Sequence, residues 1–401
     1  MDAWVGGVSV TPFGIEGDLA GLARSALVGA VTDSGLGIGQ VEEVYFGNGA
    51  AGLLQGQEMV RGQVILKDVG LGGVPLFNVE NACASSSSAF VLAVTAVLAG
   101  RCDVAVALGA EQLVVEDKTR SFGALAAAAD TIRIEENRAF TRRWALGILD
   151  GEPEEEVVGS PLMAHYAEAA RSYMAISDAT PADLALVVQK SRAAAVHNPI
   201  AQFRRPVEVA AVLEAREVSS PLTVPMCSPL SNGAAAVVVV SSKVARQIGA
   251  RVGVRATGEA TPGSGGGMGP AERSAALAYE RAGVSPSDIS VVELHDAAAS
   301  AELMLMESVM LCGKGEAVDL LRRGETALGG RVPVNVSGGL LSRGHPIGAT
   351  GCAQIAELAD QLRGRCGGRQ VERPRLGLAQ NSGGVLGDGE AVSVVSVLEA
   401  V

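Results

Sequence analysis

Aromatic residues are scarce in this chain, at 3% of 401 positions, with only two tryptophans, four tyrosines and four histidines. Base stacking on aromatic platforms is therefore a poor fit, and every histidine becomes worth locating. No apolar run reaches the roughly 18 residues that a membrane span needs. The opening Met1-Asp2-Ala3-Trp4 lacks the basic flank and apolar stretch of a signal peptide, so the expectation is a cytoplasmic chain with no membrane partner. Basic residues are outnumbered, 32 Lys and Arg against 44 Asp and Glu, and the formal net charge of −12 disfavours nucleic acid as a partner. The six cysteines, at 83, 102, 227, 312, 352 and 366, include no CxxC pair and no metal-like cluster with histidine. They are expected to be free thiols, with no metal site.

What the chain has in quantity is small and apolar. Hydrophobic residues make up 48%, and there are 51 glycines. Such a composition excludes a disordered chain and suits closely packed helices on buried sheets. Runs rich in β-branched residues alternate with Ala-rich helical stretches, which predicts an α/β fold. Strands are expected at Val41–Gly47, Leu76–Val79, Asp103–Gly109, Val332–Val336, Leu376–Ala379 and Ala391–Leu398, with helices over 84–99 and 350–363. A polar turn feeds an apolar strand at Ser231–Val240 and again at Gly387–Val395, which suggests two similar halves. Between about 113 and 220 charge concentrates and the apolar spacing turns helical, as expected of an insertion carried on the first half.

Four motifs follow predicted strands, where ligand sites of open α/β sheets gather. Asn81-Ala82-Cys83-Ala84-Ser85 sets a cysteine at the start of a helix. The helix dipole there lowers a thiol's pKa, which suits a nucleophile; the competing reading is a small buried hydrophobe. Gly344-His345-Pro346-Ile347-Gly348-Ala349-Thr350-Gly351 fixes a histidine in a glycine-rich turn, for acid/base work or simply satisfied within the turn. Glu293-Leu294-His295-Asp296 ends a strand, and Gln380-Asn381-Ser382-Gly383-Gly384 reads as a strand passing into a polar turn. The glycine-rich stretch Thr261–Pro270 is a connector or a pocket wall.

In this order the motifs resemble those of the thiolase superfamily, in particular the sterol-carrier-protein-x type thiolases and their bacterial relatives, and the likeness runs from about residue 5 to the C-terminus. His197-Asn198-Pro199 and Ser228-Pro229-Leu230-Ser231-Asn232-Gly233 match further landmarks of that family. The resemblance implies two βαβαβαββ halves in five αβαβα layers. The first half would span 1–112 and 221–245, a helical loop domain 113–220, and the second half 246–401. It implies a covalent acyl-cysteine at Cys83, His345 as its base, and His295 holding a water or the thioester oxygen. The amides of Cys83 and Gly383 would form an oxyanion hole beside Asn381 and Ser382. The substrate would be a coenzyme A thioester with no bound cofactor. The partners would be a second copy of the chain and a small zinc-ribbon/OB-fold protein. Candidate contacts to coenzyme A are Arg204, Arg205, Ser264 and Gly265, with Arg133, Arg138, Arg142 and Arg143 in the insertion.

The chain departs from the family at the second cysteine, which shuttles the α-carbon proton. Ala297 stands where this branch carries it, and Asn381 or Ser382 where other thiolases do. The expectation is an acyltransferase that forms or cleaves a carbon–carbon bond of a 3-oxoacyl-CoA with an unconventional base. Alternatives are a steroid side-chain-type aldolase or a non-catalytic subunit of a hetero-complex.

Overall fold

The computed structural model describes residues 2–130, 161–263, 268–387 and 389–401. Its strands are β1 (Ala3–Val10), β2 (Glu43–Gly47), β3 (Leu76–Val79), β4 (Val104–Gln112), β5 (Glu217–Ser219), β6 (Leu222–Thr223), β7 (Asn232–Ser241), β8 (Val252–Ala260), β9 (Val291–Glu293), β10 (Leu376–Leu386) and β11 (Gly389–Ala400). The helices that frame the site are α1 (Leu19–Asp33), α2 (Ser85–Leu98), α3 (Lys118–Ala126), α4 (Pro161–Ile176), α5 (Pro181–Ala195), α6 (Pro270–Ala282), α7 (Ala299–Ser308) and α8 (Thr350–Leu362).

One continuous sheet runs β3-β2-β4-β7-β1-β8-β11-β10-β9, while β5 and β6 form a separate small hairpin. The join between halves is slight: β1 meets β8 antiparallel through Trp4↔Gly253 and Val5↔Val252. On either side the pattern repeats. β2 lies parallel to β3 and β4, with β7 antiparallel on β4; β9 lies parallel to β10, with β11 antiparallel on β10. The strand expected at Val332–Val336 is reduced to the single parallel bridge Val292↔Val334, so the second half has one fewer full strand. Pro333 removes a ladder donor within it.

Strands β4 and β7 are buried almost end to end, which is why they read as unbroken Ala/Val runs rather than alternating ones. On the outer face of the first half, α1 buries Ala23, Ala26, Leu27 and Ala30. On the outer face of the second, α6 buries Ala275, Ala278 and Tyr279. Helices α2 and α8 share one core, in which Phe90, Ala93, Ile355 and Ala356 belong to a single cluster. Their approach is close because it is made of small residues: a Cβ on Gly351 would lie 2.0 Å from Ser87 Oγ and 2.5 Å from Ser87 N. The insertion helices, although carried in sequence by the first half, pack on the second, with Ala167, Tyr173 and Leu184 in one cluster with Leu303 and Met306 of α7. No described helix is long and apolar enough to cross a membrane.

Candidate active site

The start of α2 is where the backbone first does something unusual. Between β3 and α2, Ala82 takes φ +47, a left-handed conformation that costs a non-glycine residue about 1–3 kcal/mol. The bend is held by Ser85 Oγ, which donates to Ala82 O at 2.6 Å, and by Asn81 Nδ2, which donates to Ser88 Oγ at 2.8 Å. It puts Cys83 in a single 3₁₀ turn directly before the helix, with its side chain on a cavity of about 310 Å³.

His345 and His295 border the same cavity. A ring nitrogen of each and Cys83 Sγ lie within 4.8 Å of one another, and the two rings meet edge to face at 5.1 Å. Among the described residues this is the one His/Cys/Asp/Glu trio close enough to hold a metal ion; the sequence led us to expect none. His345 Nδ1 lies 2.7 Å from Thr350 Oγ1. The Thr350 hydroxyl spends its single proton on Pro346 O at 3.1 Å, so it accepts from Nδ1–H. Neutral His345 therefore carries its proton on Nδ1 and leaves Nε2 basic. Its own N–H donates to Ser231 Oγ at 3.0 Å.

Beneath the rings a buried polar network ties β9 to the glycine-rich turn. Glu293 accepts from Ser337 Oγ at 2.6 Å and Arg343 NH1 at 3.1 Å. Asp296 Oδ1 accepts from Leu340 N at 2.7 Å. Glu111, at the end of β4, accepts from Gly49 N at 3.0 Å and Gly348 N at 3.2 Å, which clamps the turn after His345 to the first half.

The electrostatics depart from the sequence expectation at the cysteine. Burial pushes the Cys83 thiol up to about 12, and Glu111 adds to the effect. Two amides oppose it, those of Cys83 itself and of Gly384. Helix-terminus stabilisation of the thiolate, expected from the sequence, is thus outweighed by desolvation. Burial likewise lowers His295 to about 4; His345 falls well below its ordinary value through burial, then His295 and Arg343. Burial thus favours the neutral forms of all three, a thiol beside two imidazoles. Cysteine becomes a nucleophile only as Nε2 of His345 takes its proton, and the two amides then face the charge that develops.

Of the remaining predicted residues, Ser382 lines the cavity and Asn381 does not; its Nδ2 donates to Gln354 at 3.1 Å. Both lie in strand rather than turn, because β10 continues to Leu386 in register with β11. The amide directed at Cys83 is that of Gly384. Gly383, expected in that role, instead packs so tightly that a Cβ would sit 2.1 Å from Asn81 O. Arg204 and Arg205 are exposed and lie outside the cavity wall. Arg133, Arg138, Arg142, Arg143, Ser264 and Gly265 fall outside the described residues. Ala297 is buried and lines the cavity at the position of the missing cysteine. Cys352 is a packing residue whose Sγ lies 3.5 Å from Ser86 O.

Sequence reasoning missed Thr350, Glu111, Tyr166 and Glu390. Thr350 lies within the quoted glycine-rich motif, and a charged residue ending the apolar run of β4 was a usable sign for Glu111. Tyr166, on α4, reaches the cavity only through tertiary packing.

Comparison with known proteins agrees with this geometry. Residues 9–220 match the thiolase N-terminal domain and residues 266–398 the thiolase C-terminal domain-like family. The chain is 36% identical to benzoylsuccinyl-CoA thiolase subunit BbsB of Thauera aromatica, over 95% of this chain and 94% of that protein. It is 34% identical to an acetyl-CoA acetyltransferase of Methanothermobacter thermautotrophicus, over 96% and 97%. It is 31% identical to human sterol carrier protein 2, over 98% of this chain and 71% of that one. Among solved structures, the Ltp2-ChsH2(DUF35) aldolase superposes with a TM-score of 0.80 at 22% identity, covering 100% of this chain and 98% of that one. Human mitochondrial 3-ketoacyl-CoA thiolase superposes at 0.69 and 16%, with the same coverage. The fold, the two domain matches and the full-length relatives agree: the chain belongs to the thiolase family, and it is an acyl-CoA acyltransferase.

Proposed function

We propose that the chain transfers a bulky, apolar acyl group between Cys83 and coenzyme A, and that it forms or cleaves the C2–C3 bond of a 3-oxoacyl-CoA. The observation that carries this reading is the Cys83–His295–His345 trio at the wall of a largely apolar cavity. Leu113, Phe122, Leu125, Met163, Met304 and Leu305 face it. On a measure by which one water needs about 10–15 Å³, about 310 Å³ is far more room than an acetyl group fills. Alanine rather than cysteine at 297 leaves space beside His295.

In the cleavage direction, Cys83 Sγ attacks the C3 carbonyl while His345 Nε2 takes the thiol proton. The C2–C3 bond breaks, acyl-Cys83 forms, and the released C2 carbanion takes a proton. The thiol of free coenzyme A then attacks acyl-Cys83, giving the second acyl-CoA and restoring the cysteine. The oxyanion at C3 faces the amides of Cys83 and Gly384. The test is intact-protein mass after incubation with acetyl-CoA and benzoyl-CoA. The expected result is a single acyl adduct on the wild type, larger in yield for benzoyl-CoA. Absence of an adduct with both thioesters would overturn it.

A second reading, a retro-aldol lyase without acylation, draws on Tyr166, a phenol at the same cavity and within electrostatic reach of Cys83. It predicts turnover of a 3-hydroxyacyl-CoA by Cys83→Ala and little by Tyr166→Phe. We also propose assembly as a homodimer that takes up a small partner protein, since the relative BbsB is by name a subunit and the aldolase carries ChsH2. Native mass of the chain purified from its host tests this; a lone monomer would refute it.

A further inference from the structure

A thiolase without its second cysteine needs another group to move the proton at C2, and the cavity contains one. Glu390 opens β11 and lines the same wall as Cys83. On the neighbouring strand of the hairpin, Ser382 Oγ lies 3.4 Å from Glu390 Oε1. Ser382 Oγ accepts from Gln380 Nε2 at 2.8 Å, so its own proton is directed toward the carboxylate. We propose that Glu390, with Ser382 holding it, is the acid/base that moves the C2 proton.

No arginine or lysine among the described residues contributes to the charge state of Glu390. The groups that face it are Ser382 from β10, Glu272 from α6 and Tyr166 from α4. Half-buried in the cavity wall, the Glu390 carboxylate takes hydrogen bonds only from its own backbone N–H and, weakly, from the Ser382 hydroxyl, and no cation among the described residues neutralises it. Burial and the like charge of Glu272 hold its pKa above the ordinary glutamate value, in the direction that helps a group both give and take a proton near neutrality. His345 is already committed to the thiol proton.

The step balances without any further reactant. In cleavage, the C2–C3 electron pair moves to C2, and the proton of the Glu390 carboxylic acid is transferred to that carbon. The Glu390 carboxylate regains its proton through solvent from protonated His345, and neutral His345 then takes the thiol proton of the incoming coenzyme A and returns it to Cys83 as the new thioester forms. In condensation the carboxylate removes the C2 proton, the carbon attacks acyl-Cys83, the C–S bond breaks, and the released Cys83 thiolate takes its proton from protonated His345.

This inference rests on the acyl-Cys83 reading, so the experiment separates the two. Wild type, Glu390→Gln, Glu390→Asp and Ser382→Ala are loaded with benzoyl-CoA and followed by intact mass. Deuterium wash-in at C2 of acetyl-CoA is then followed in D2O by NMR. Glu390→Gln is expected to load Cys83 within about twofold of wild type and to lose wash-in by about 10²-fold or more. Glu390→Asp, which keeps the acid, is expected to recover part of that loss, and Ser382→Ala to lose about tenfold. Wild-type wash-in by Glu390→Gln would overturn the assignment. So would equal loss of loading and wash-in in both Glu390 variants, which marks a structural role. Failure of the wild type to load would take down the acyl-Cys83 reading and this inference with it.

Discussion

The two halves build the same unit, a strand, a central helix and a strand, yet they reach the central helix by different routes. In the first half, residues 80–84 suffice to pass from β3 to α2, and the passage is one strained bend with Ala82 at φ +47. In the second, residues 337–349 separate the bridge strand from α8 and include a π-helical turn, Gly339–Arg343, and a 3₁₀ turn, Ile347–Ala349. A nucleophile needs only its one atom at a helix start, which backbone geometry can supply. A base needs its ring oriented, its tautomer chosen and its charge controlled, and that takes the longer route with its buried partners. Mutational damage should accordingly be local in the first half and distributed in the second.

The largest effect belongs to the short route. Cys83→Ala is expected to abolish acyl loading and reduce turnover by about 10⁴-fold or more, with unfolding unchanged. An adduct surviving in that variant would move the nucleophile elsewhere and erase the contrast. On the long route a residue remote from the sulfur should count. Thr350→Val keeps volume and branching but removes the hydroxyl that holds His345 Nδ1–H at 2.7 Å. Orienting partners of this kind are worth about 10–100-fold, so kcat should fall by that much while iodoacetamide alkylation of Cys83 stays near the wild-type rate. If Thr350→Val behaves as wild type, the tautomer is fixed by something else.

Where the routes meet, the seam between α2 and α8 should respond as packing alone. Gly351→Ala introduces a Cβ 2.5 Å from the Ser87 backbone, which cannot rotate away. We expect about 1–3 kcal/mol lost in urea unfolding, with no such loss for Gly123→Ala in α3, where a Cβ meets nothing within 4 Å.

Much of this was legible in the sequence, for a physical reason. Buried parallel strands must be apolar throughout, and sharp turns before helices need small residues, so β4, α2 and α8 stand out in the sequence within a residue or two of their ends, apart from the far end of β4. Cys83, His295 and His345 stand out because each ends or follows a strand. What stayed hidden depends on contacts between distant segments. Glu390 becomes a cavity residue only because β10 and β11 pair through Leu386↔Gly389, and Ser382–Gly384 reads as a turn in the sequence because its polar and glycine residues resemble one. The pKa of Cys83 also lay beyond sequence reasoning, since a helix start and a buried carboxylate 28 positions downstream pull it in opposite directions.

That opposition gives the smallest and sharpest test. Thiolate, not thiol, reacts with iodoacetamide. With burial and Glu111 holding Cys83 up to about 12, the thiolate fraction stays low at neutrality and grows about tenfold per pH unit below that value. Alkylation of Cys83, followed by peptide mass mapping to separate it from the other five cysteines, should therefore climb without a plateau from pH 7 to pH 10. Removing the opposing charge in Glu111→Gln should shift the curve to lower pH, by less than the desolvation that remains. A plateau near neutrality in the wild type would mean a standing thiolate–imidazolium pair. The first half would then supply an already ionised nucleophile, and the long second route would serve only the later proton transfers.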